Sequence, residues 1–280
     1  MADLITVEEA LGFVREQVTL QVGASYVPIG EAHGRVLASA ITARFPYPRF
    51  DNSAVDGYAV GSEEDAKVGR SLTVARTIRA GQPAAGPIAS GTCLRILTGA
   101  PTPQNTYGVA MQEDVALEGG EVRLTQPVSA GSHVRRGGAD FEEGALLASQ
   151  GEEVSPGMLA LLASQGFESV FVYDRPRVLV IALGDELVPP GRNAAPHEIY
   201  ESNGLMLKAQ AESAGAEAES VPLGDEVEGL RFQLDLAGAY DLAIVAGGAS
   251  VGDWDFARQA LEDIGEVVFH GISMKPGKPV

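Results

Sequence analysis

The chain has 280 residues, 45% apolar and 21% charged, so it can bury enough surface to offset the entropy of ordering and is long enough for two or three compact units. A net charge of -18 and a sequence pI near 4.5 exclude a general binder of nucleic acid or anionic membrane, because both polyanions meet a repulsive field. One cysteine, Cys93, excludes an intramolecular disulfide and a multi-cysteine metal site. With no basic start or apolar stretch of a signal peptide, and no apolar run of membrane-spanning length, the sequence predicts a soluble, cytoplasmic protein.

Thr6 and Glu9 form a capping box, and Val7, Leu11, Val14 and Val18 then recur at helical spacing, so the chain is expected to open with an amphipathic helix. A second helix is expected over 31–40, weakened by Gly34. From 45 to 134 short β-prone runs (72–78, 93–97, 109–112, 121–124) alternate with Gly/Pro turns, which predicts a small all-β unit. Helical signals return at Ser155-Pro156-Gly157, an N-cap followed by proline at the first helical position, and close at Gly166. The β unit therefore reads as an insertion into a helical one.

After Pro176 the pattern changes: strands at 178–183, 217–222, 242–246 and 267–270 alternate with helices at 203–214, 227–237 and 256–264. That alternation predicts right-handed β-α-β crossovers and a parallel sheet. Open α/β sheets bind ligands at the carboxyl ends of their strands, where loops and helix N-termini converge. Gly184-Asp185-Glu186, Gly224-Asp225 and the Gly247–Asp253 loop follow the first three strands, and Lys275-Pro-Gly-Lys278 lies beyond the fourth.

Backbone N–H groups at Gly247 and Gly248, with the Ser250 hydroxyl, suit a phosphate cradle, although the same residues also make a tight strand-to-helix turn. Lysine is scarce, and two of the four, Lys275 and Lys278, flank one Pro-Gly turn, an arrangement suited to a diphosphate or oxyanion. Asp185, Glu186, Asp225, Asp253 and Asp255 offer hard oxygen ligands of the kind that hold Mg²⁺ beside substrate phosphates; solvated acidic loops are the competing reading. Asp51-Asn-Ser-Ala-Val-Asp56-Gly-Tyr58 enters the β unit, where its Asx residues can satisfy turn N–H groups. His33, His133, His197 and His270 are isolated, without metal-ligand spacing, and no nucleophile elbow is present.

Read together, seven segments in order resemble the MoeA/gephyrin E-domain family. They are Phe50-Asp-Asn-Ser-Ala-Val-Asp-Gly-Tyr-Ala-Val60, Arg95-Ile-Leu-Thr-Gly-Ala-Pro101, Met111-Gln-Glu-Asp114, Arg135-Arg-Gly-Gly-Ala-Asp140, Gly184-Asp-Glu-Leu187, Gly247-Gly-Ala-Ser-Val-Gly252 and Met274-Lys-Pro-Gly-Lys-Pro279. The resemblance implies a multidomain α/β plus β fold: an elongated helical domain (1–44 and 135–174), an inserted β domain (45–134) and a MogA-like three-layer α/β molybdopterin-binding domain (175–280). It also implies a homodimer with a molybdopterin adenylyltransferase upstream. The implied activity is molybdenum insertion, in which adenylylated molybdopterin is hydrolysed with Mg²⁺ and molybdate is transferred to the dithiolene with release of AMP.

By position, Asp56, Thr98 and Asp140 match residues that the family places at its cleft from the neighbouring subunit, and Glu186, Asp225, Asp255, Lys275 and Lys278 match those on the α/β side. The roles implied are Asp185, Glu186 and Asp225 for Mg²⁺, Gly247, Gly248 and Ser250 for the pterin phosphate, and the two lysines for molybdate or phosphate oxygens. Leu183 and Ala246 stand where the family often has small hydroxylic residues, which removes two possible contacts. The chain ends at Val280, before the family's Pro-Gly-Asn-Pro loop and fourth domain, so the α/β domain is expected to be incomplete and the chain as given inactive or poorly active. Two other readings are an adenylyltransferase related to the stand-alone molybdopterin-binding domain, disfavoured by the N-terminal half, and a non-catalytic molybdopterin-binding or scaffold protein.

Overall fold

The computed structural model describes residues 4–18, 22–84, 86–247, 260–263, 265–269 and 271–275. In chain order these form α1 (Val7–Gln17), β1 (Ala24–Pro28), β2 (Ile41–Thr42), β3 (Asn52–Ser53), β4 (Gly57–Val60), β5 (Ser71–Ile78), β6 (Thr92–Ile96), β7 (Gly108–Met111), β8 (Val115–Glu118) and β9 (Glu121–Leu124). Next come β10 (Val134–Arg135), β11 (Leu146–Ala148), α2 (Pro156–Ser164), β12 (Ser169–Tyr173) and β13 (Arg177–Leu183). The remainder is β14 (Leu187–Val188), β15 (Ile199–Tyr200), α3 (Asn203–Ser213), β16 (Glu217–Leu223), α4 (Val227–Leu236) and β17 (Leu242–Ala246). Contacts divide the chain into two compact units, one of Met1–Ala38, Gly151–Leu159 and Glu168–Val280, the other of Ser39–Gln150 and Ala160–Phe167.

The second unit is built on a six-stranded sheet of order β7-β4-β6-β5-β9-β8, antiparallel except for β5 with β6. Both faces of its centre are covered, so successive residues of β4 are all buried: Tyr58 and Val60 pack with Leu72, Cys93 and Val122, and Ala59 packs with Ile78, Leu94, Ile96 and Val109. β4 was not expected from the sequence, where Asx and Gly residues pointed to a turn. Gly57 permits the strand, because a Cβ there would lie 1.9 Å from the Ala110 carbonyl oxygen of the neighbouring strand. At the edge of this unit fully buried Gln165 accepts hydrogen bonds from the Arg44 and Phe45 amides at 2.9 and 3.3 Å.

In the first unit β16, β13 and β17 form a parallel sheet with β13 central. Val178 and Val180 on one face pack with Leu207 and Ala211 of α3; Leu179, Ile181 and Leu183 on the other pack with Leu230 and Leu234 of α4. A strand buried on both faces reads as a continuous apolar run, which is why β13 was legible at once. β1 and β12 pair antiparallel in the same unit.

Two expectations change, and a third falls partly outside the described residues. The stretch 31–40 is not a helix: after one 3-10 turn at Ile29–Glu31, Gly34 adopts φ +70° and Val36 and Leu37 bridge Glu153 and Val172, burying Leu37 completely. Residues 267–269 lie outside any strand and His270 outside the described residues; instead Ile272 bridges Ile5 in parallel, with the Ser273 amide donating to the Ile5 carbonyl at 2.7 Å. The helix expected over 256–264 is described only at 260–263, which are helical, with Ala260 buried against Leu230 and Leu234.

α1 carries its capping box as expected, Thr6 and Glu9 each holding the other's backbone. Its apolar stripe is not buried, however: Leu11 and Val14 are 49% and 47% exposed, and of the helix only Ala10 is buried.

Candidate functional site

Two groups of the residues singled out from the sequence are gathered by the fold, one in each unit. In the unit with the parallel sheet, Gly184-Asp185-Glu186 leaves β13, Gly224-Asp225 leaves β16 and Gly247 leaves β17, so the three loops share the carboxyl edge of three adjacent strands. The register aligns them, since Leu183 pairs with Leu223 and Ala182 with Ala246.

The loops are tied to one another. Asp185 Oδ1 accepts the Asp225 amide at 3.0 Å, and a Cβ at Gly224 would lie 2.7 Å from the same oxygen. Gly247 stands at φ +102°, where an added Cβ would meet the Leu183 carbonyl oxygen at 2.3 Å. Glycine at 247 is therefore a geometric requirement of bringing these turns together. The buried carboxylate of Glu201, unremarked in the sequence, accepts the Gly204 amide at 2.6 Å in the first turn of α3. A carboxylate there complements the positive end of the helix.

Asp185 and Glu186 are exposed, and Asp225 is partly buried. Among the described residues no three His, Cys, Asp or Glu side chains converge as a metal cage. Mg²⁺ in phosphate sites needs only one or two protein carboxylates, the rest of its shell being water and substrate. Asp185, whose second oxygen is not taken by the Asp225 amide, and Asp225 in the loop after the neighbouring strand are the carboxylates nearest to that role among the described residues. Lys275 is exposed, three residues past the Ile5–Ile272 bridge, and among the described residues no hydrogen bond or ion pair joins it to the acidic loops. Gly248, Ser250, Asp253, Asp255 and Lys278 lie outside the described residues.

In the other unit the Asp56 carboxylate accepts both the amide and the hydroxyl of Thr98, each at 2.7 Å. The Thr98 backbone hydrogen bond is the main reason that the Asp56 carboxyl is held below its ordinary value; the Thr98 hydroxyl and the positive charge of Arg95 act in the same direction. Asp140 lies within 3.5 Å of Arg135 Nη2 in an exposed ion pair. The sequence reading missed a neighbour of these residues: Asp51 accepts the Arg136 guanidinium at 2.5 Å and the Gly137 amide at 2.8 Å. Its signal was present in the Arg-Arg-Gly-Gly run, which offers two cations and two unshielded amides to any nearby carboxylate.

Helices on both faces of a parallel sheet, with glycine and carboxylate loops at the strands' carboxyl ends, define an α/β domain of the kind that binds small ligands at that edge. Residues 5–166 match the family model of the MoeA N-terminal region (domain I and II), and residues 179–280 match that of a probable molybdopterin binding domain. The chain belongs to the MoeA family. It is 35% identical to the molybdopterin molybdenumtransferase of Haemophilus influenzae over 279 residues, 99% of this chain and 69% of that relative. To molybdopterin molybdenumtransferase 2 of Mycobacterium tuberculosis it is 37% identical over 268 residues, 90% of this chain and 65% of the relative. The crystal structure of a molybdopterin biosynthesis MoeA protein from Pyrococcus horikoshii superposes with a TM-score of 0.82 at 33% identity, covering 99% of this chain and 71% of that one. The chain thus spans about two thirds of the length of these relatives.

Proposed function

We propose that the chain acts in molybdenum cofactor biosynthesis as a molybdenum insertase, taking adenylylated molybdopterin and molybdate as substrates and releasing molybdenum cofactor and AMP. The observation that carries the reading is the meeting of Gly184-Asp185-Glu186, Gly224-Asp225 and Gly247 at one sheet edge, in a chain whose relatives are named molybdopterin molybdenumtransferases. Hydrolysis of the phosphoanhydride adds water across the P–O–P bridge, leaving one phosphate on the pterin and one on AMP. Such chemistry is mostly positioning and charge stabilisation, and needs no covalent nucleophile on the protein.

In this reading the amides of the Gly247–Gly248 turn and the Ser250 hydroxyl face the pterin phosphate, while Lys275 and Lys278 hold oxyanion oxygens. Asp185, Glu186 and Asp225 are the residues that would hold Mg²⁺ or its water shell; bound there, the ion neutralises charge on the phosphates. Asp56, hydrogen-bonded to Thr98, and Asp140 would supply acceptors to the same reaction. Alanine at Glu186 and at Asp56 is expected to lower Mg²⁺- and molybdate-dependent turnover of adenylylated molybdopterin at least about tenfold each, the loss of roughly 1.4 kcal/mol of transition-state stabilisation. Wild-type rates in both variants would remove these assignments.

The proposal extends to assembly as a homodimer, with Asp56, Thr98 and Asp140 of one subunit serving the α/β site of the other, and with a molybdopterin adenylyltransferase supplying the substrate. Support comes from the exposed apolar side chains of α1, which in isolation face water at a cost. Co-expressing Asp56→Ala with Glu186→Ala is then expected to restore up to about a quarter of wild-type turnover, since random pairing leaves one intact site in half of the dimers. A mixture no more active than either variant alone would contradict the shared site.

A further inference from the structure

The loop Arg135-Arg-Gly-Gly-Ala-Asp140 lies against the segment 47–53. Val134 and Arg135 pair with Ser53 and Asn52, the Gly138 amide donates to the Pro48 carbonyl at 2.9 Å, and the Asp140 amide donates to the Tyr47 carbonyl at 2.9 Å. Gly138 holds φ +77°, and a Cβ there would fall 2.4 Å from Glu142 Oε1, so the loop's path depends on glycine. Gly137 and Gly138 bring no side-chain contacts of their own, so a side-chain anchor from outside the loop adds to these backbone hydrogen bonds in holding one conformation.

Asp51 supplies that anchor. Its Oδ1 accepts the Gly137 amide at 2.8 Å and its Oδ2 the Arg136 guanidinium at 2.5 Å, both charge-assisted, with partners 86 and 85 residues away in the chain. Its own carbonyl accepts the Thr102 amide at 3.0 Å. One residue thus joins three segments: the one that runs on to Asp56, the one that carries Thr98 four residues before Thr102, and the one that ends in Asp140. The negative charge is well supported there. Burial alone pushes the carboxyl upward, but the Gly137 amide and the hydrogen bond and charge of Arg136 outweigh it and hold the group below its ordinary value.

We infer that Asp51 is a positioning residue: its carboxylate clamps the 135–140 loop and so sets where Asp140 stands relative to the Asp56–Thr98 pair. The inference rests on the proposed function, which gives Asp56, Thr98 and Asp140 their place at the reaction. An asparagine at 51 could serve the Gly137 amide with its oxygen but would turn an N–H₂ donor towards the Arg136 guanidinium, so charge as well as shape is required.

The test compares the whole wild-type chain with Asp51→Ala, Asp51→Asn, Arg136→Ala, Asp140→Ala and the double variant Asp51→Ala/Asp140→Ala. Residue-resolved amide exchange is expected to rise at least tenfold at Gly137, Gly138 and Asp140 in Asp51→Ala, to rise less in Asp51→Asn and Arg136→Ala, and to stay unchanged over β6. Turnover of adenylylated molybdopterin is expected to lose at least tenfold in kcat with KM within twofold, and the double variant to be no worse than Asp140→Ala alone, as for residues acting through one contact. Unchanged exchange at Gly137 overturns the clamp, as does faster exchange spreading over β6, which would mark Asp51 as a general support of the fold. A loosened loop with wild-type kcat, where Asp140→Ala is impaired, overturns the positioning role. Unimpaired Asp140→Ala instead contradicts the site reading itself, a result distinguishable because the exchange measurement needs no substrate.

Discussion

Asp56 and Thr98 are 42 residues apart in the chain, yet the carboxylate takes two hydrogen bonds from that one threonine. Asp51 is held in the same manner by Arg136 and Gly137. Both carboxyls sit below the ordinary aspartate value of 3.8. A carboxyl whose folded value is depressed stabilises the fold above its unfolded value, and that stability disappears as pH falls through the folded value. The destabilisation caused by Asp51→Asn, measured by urea unfolding, is therefore expected to be constant above about pH 5 and to shrink steadily below about pH 4. Because Asp51 is 37% exposed and Arg136 61%, solvent screening keeps the effect modest. An Asp51→Asn deficit that persists undiminished at pH 2 would show that the charge contributes nothing.

At the level of elements, legibility followed periodicity. β13, β16, β17, α3 and α4 lie within a residue or two of their expected bounds, because a buried parallel strand is a run of apolar residues and its crossover helices carry their own repeat. β5, β6, β7 and β9 were readable between Gly/Pro turns for the same reason. β4 was not: in Asp56-Gly57-Tyr58-Ala59-Val60 the turn formers mask a central strand whose existence depends on the Ala110 carbonyl, which lies 53 residues on from Gly57 and which local propensity cannot see. The stretch 31–40 failed in the opposite direction. Its composition is helical, but burial of Leu37 against Val172 and the positive φ of Gly34 impose an extended path. For the candidate site, the sequence pointed to Asp185, Glu186 and Asp225 by their place after strands, whereas contacts such as Asp185 to the Asp225 amide and Asp51 to the Gly137 amide join distant residues and emerge only in three dimensions.

Over the whole chain the charge is divided unevenly. The unit containing the parallel sheet has 26 acidic and 10 basic side chains, leaving -16, and the other has 12 and 10, leaving -2. Under the proposed function, an anionic substrate would have to be held at the sheet edge by local donors, against the field of that unit. The geometry of those donors matters more than net charge. Gly247 makes the dependence testable, since alanine there removes no charge and no polar group but cannot keep the turn's backbone against Leu183.

Calorimetric titration of adenylylated molybdopterin into the wild-type chain and into Gly247→Ala, with folding of the variant checked by circular dichroism, addresses the shared sheet edge directly. A folded Gly247→Ala is expected to bind at least about tenfold more weakly, the equivalent of roughly 1.4 kcal/mol. Equal affinity for the two proteins would contradict a ligand site at the carboxyl ends of β13, β16 and β17.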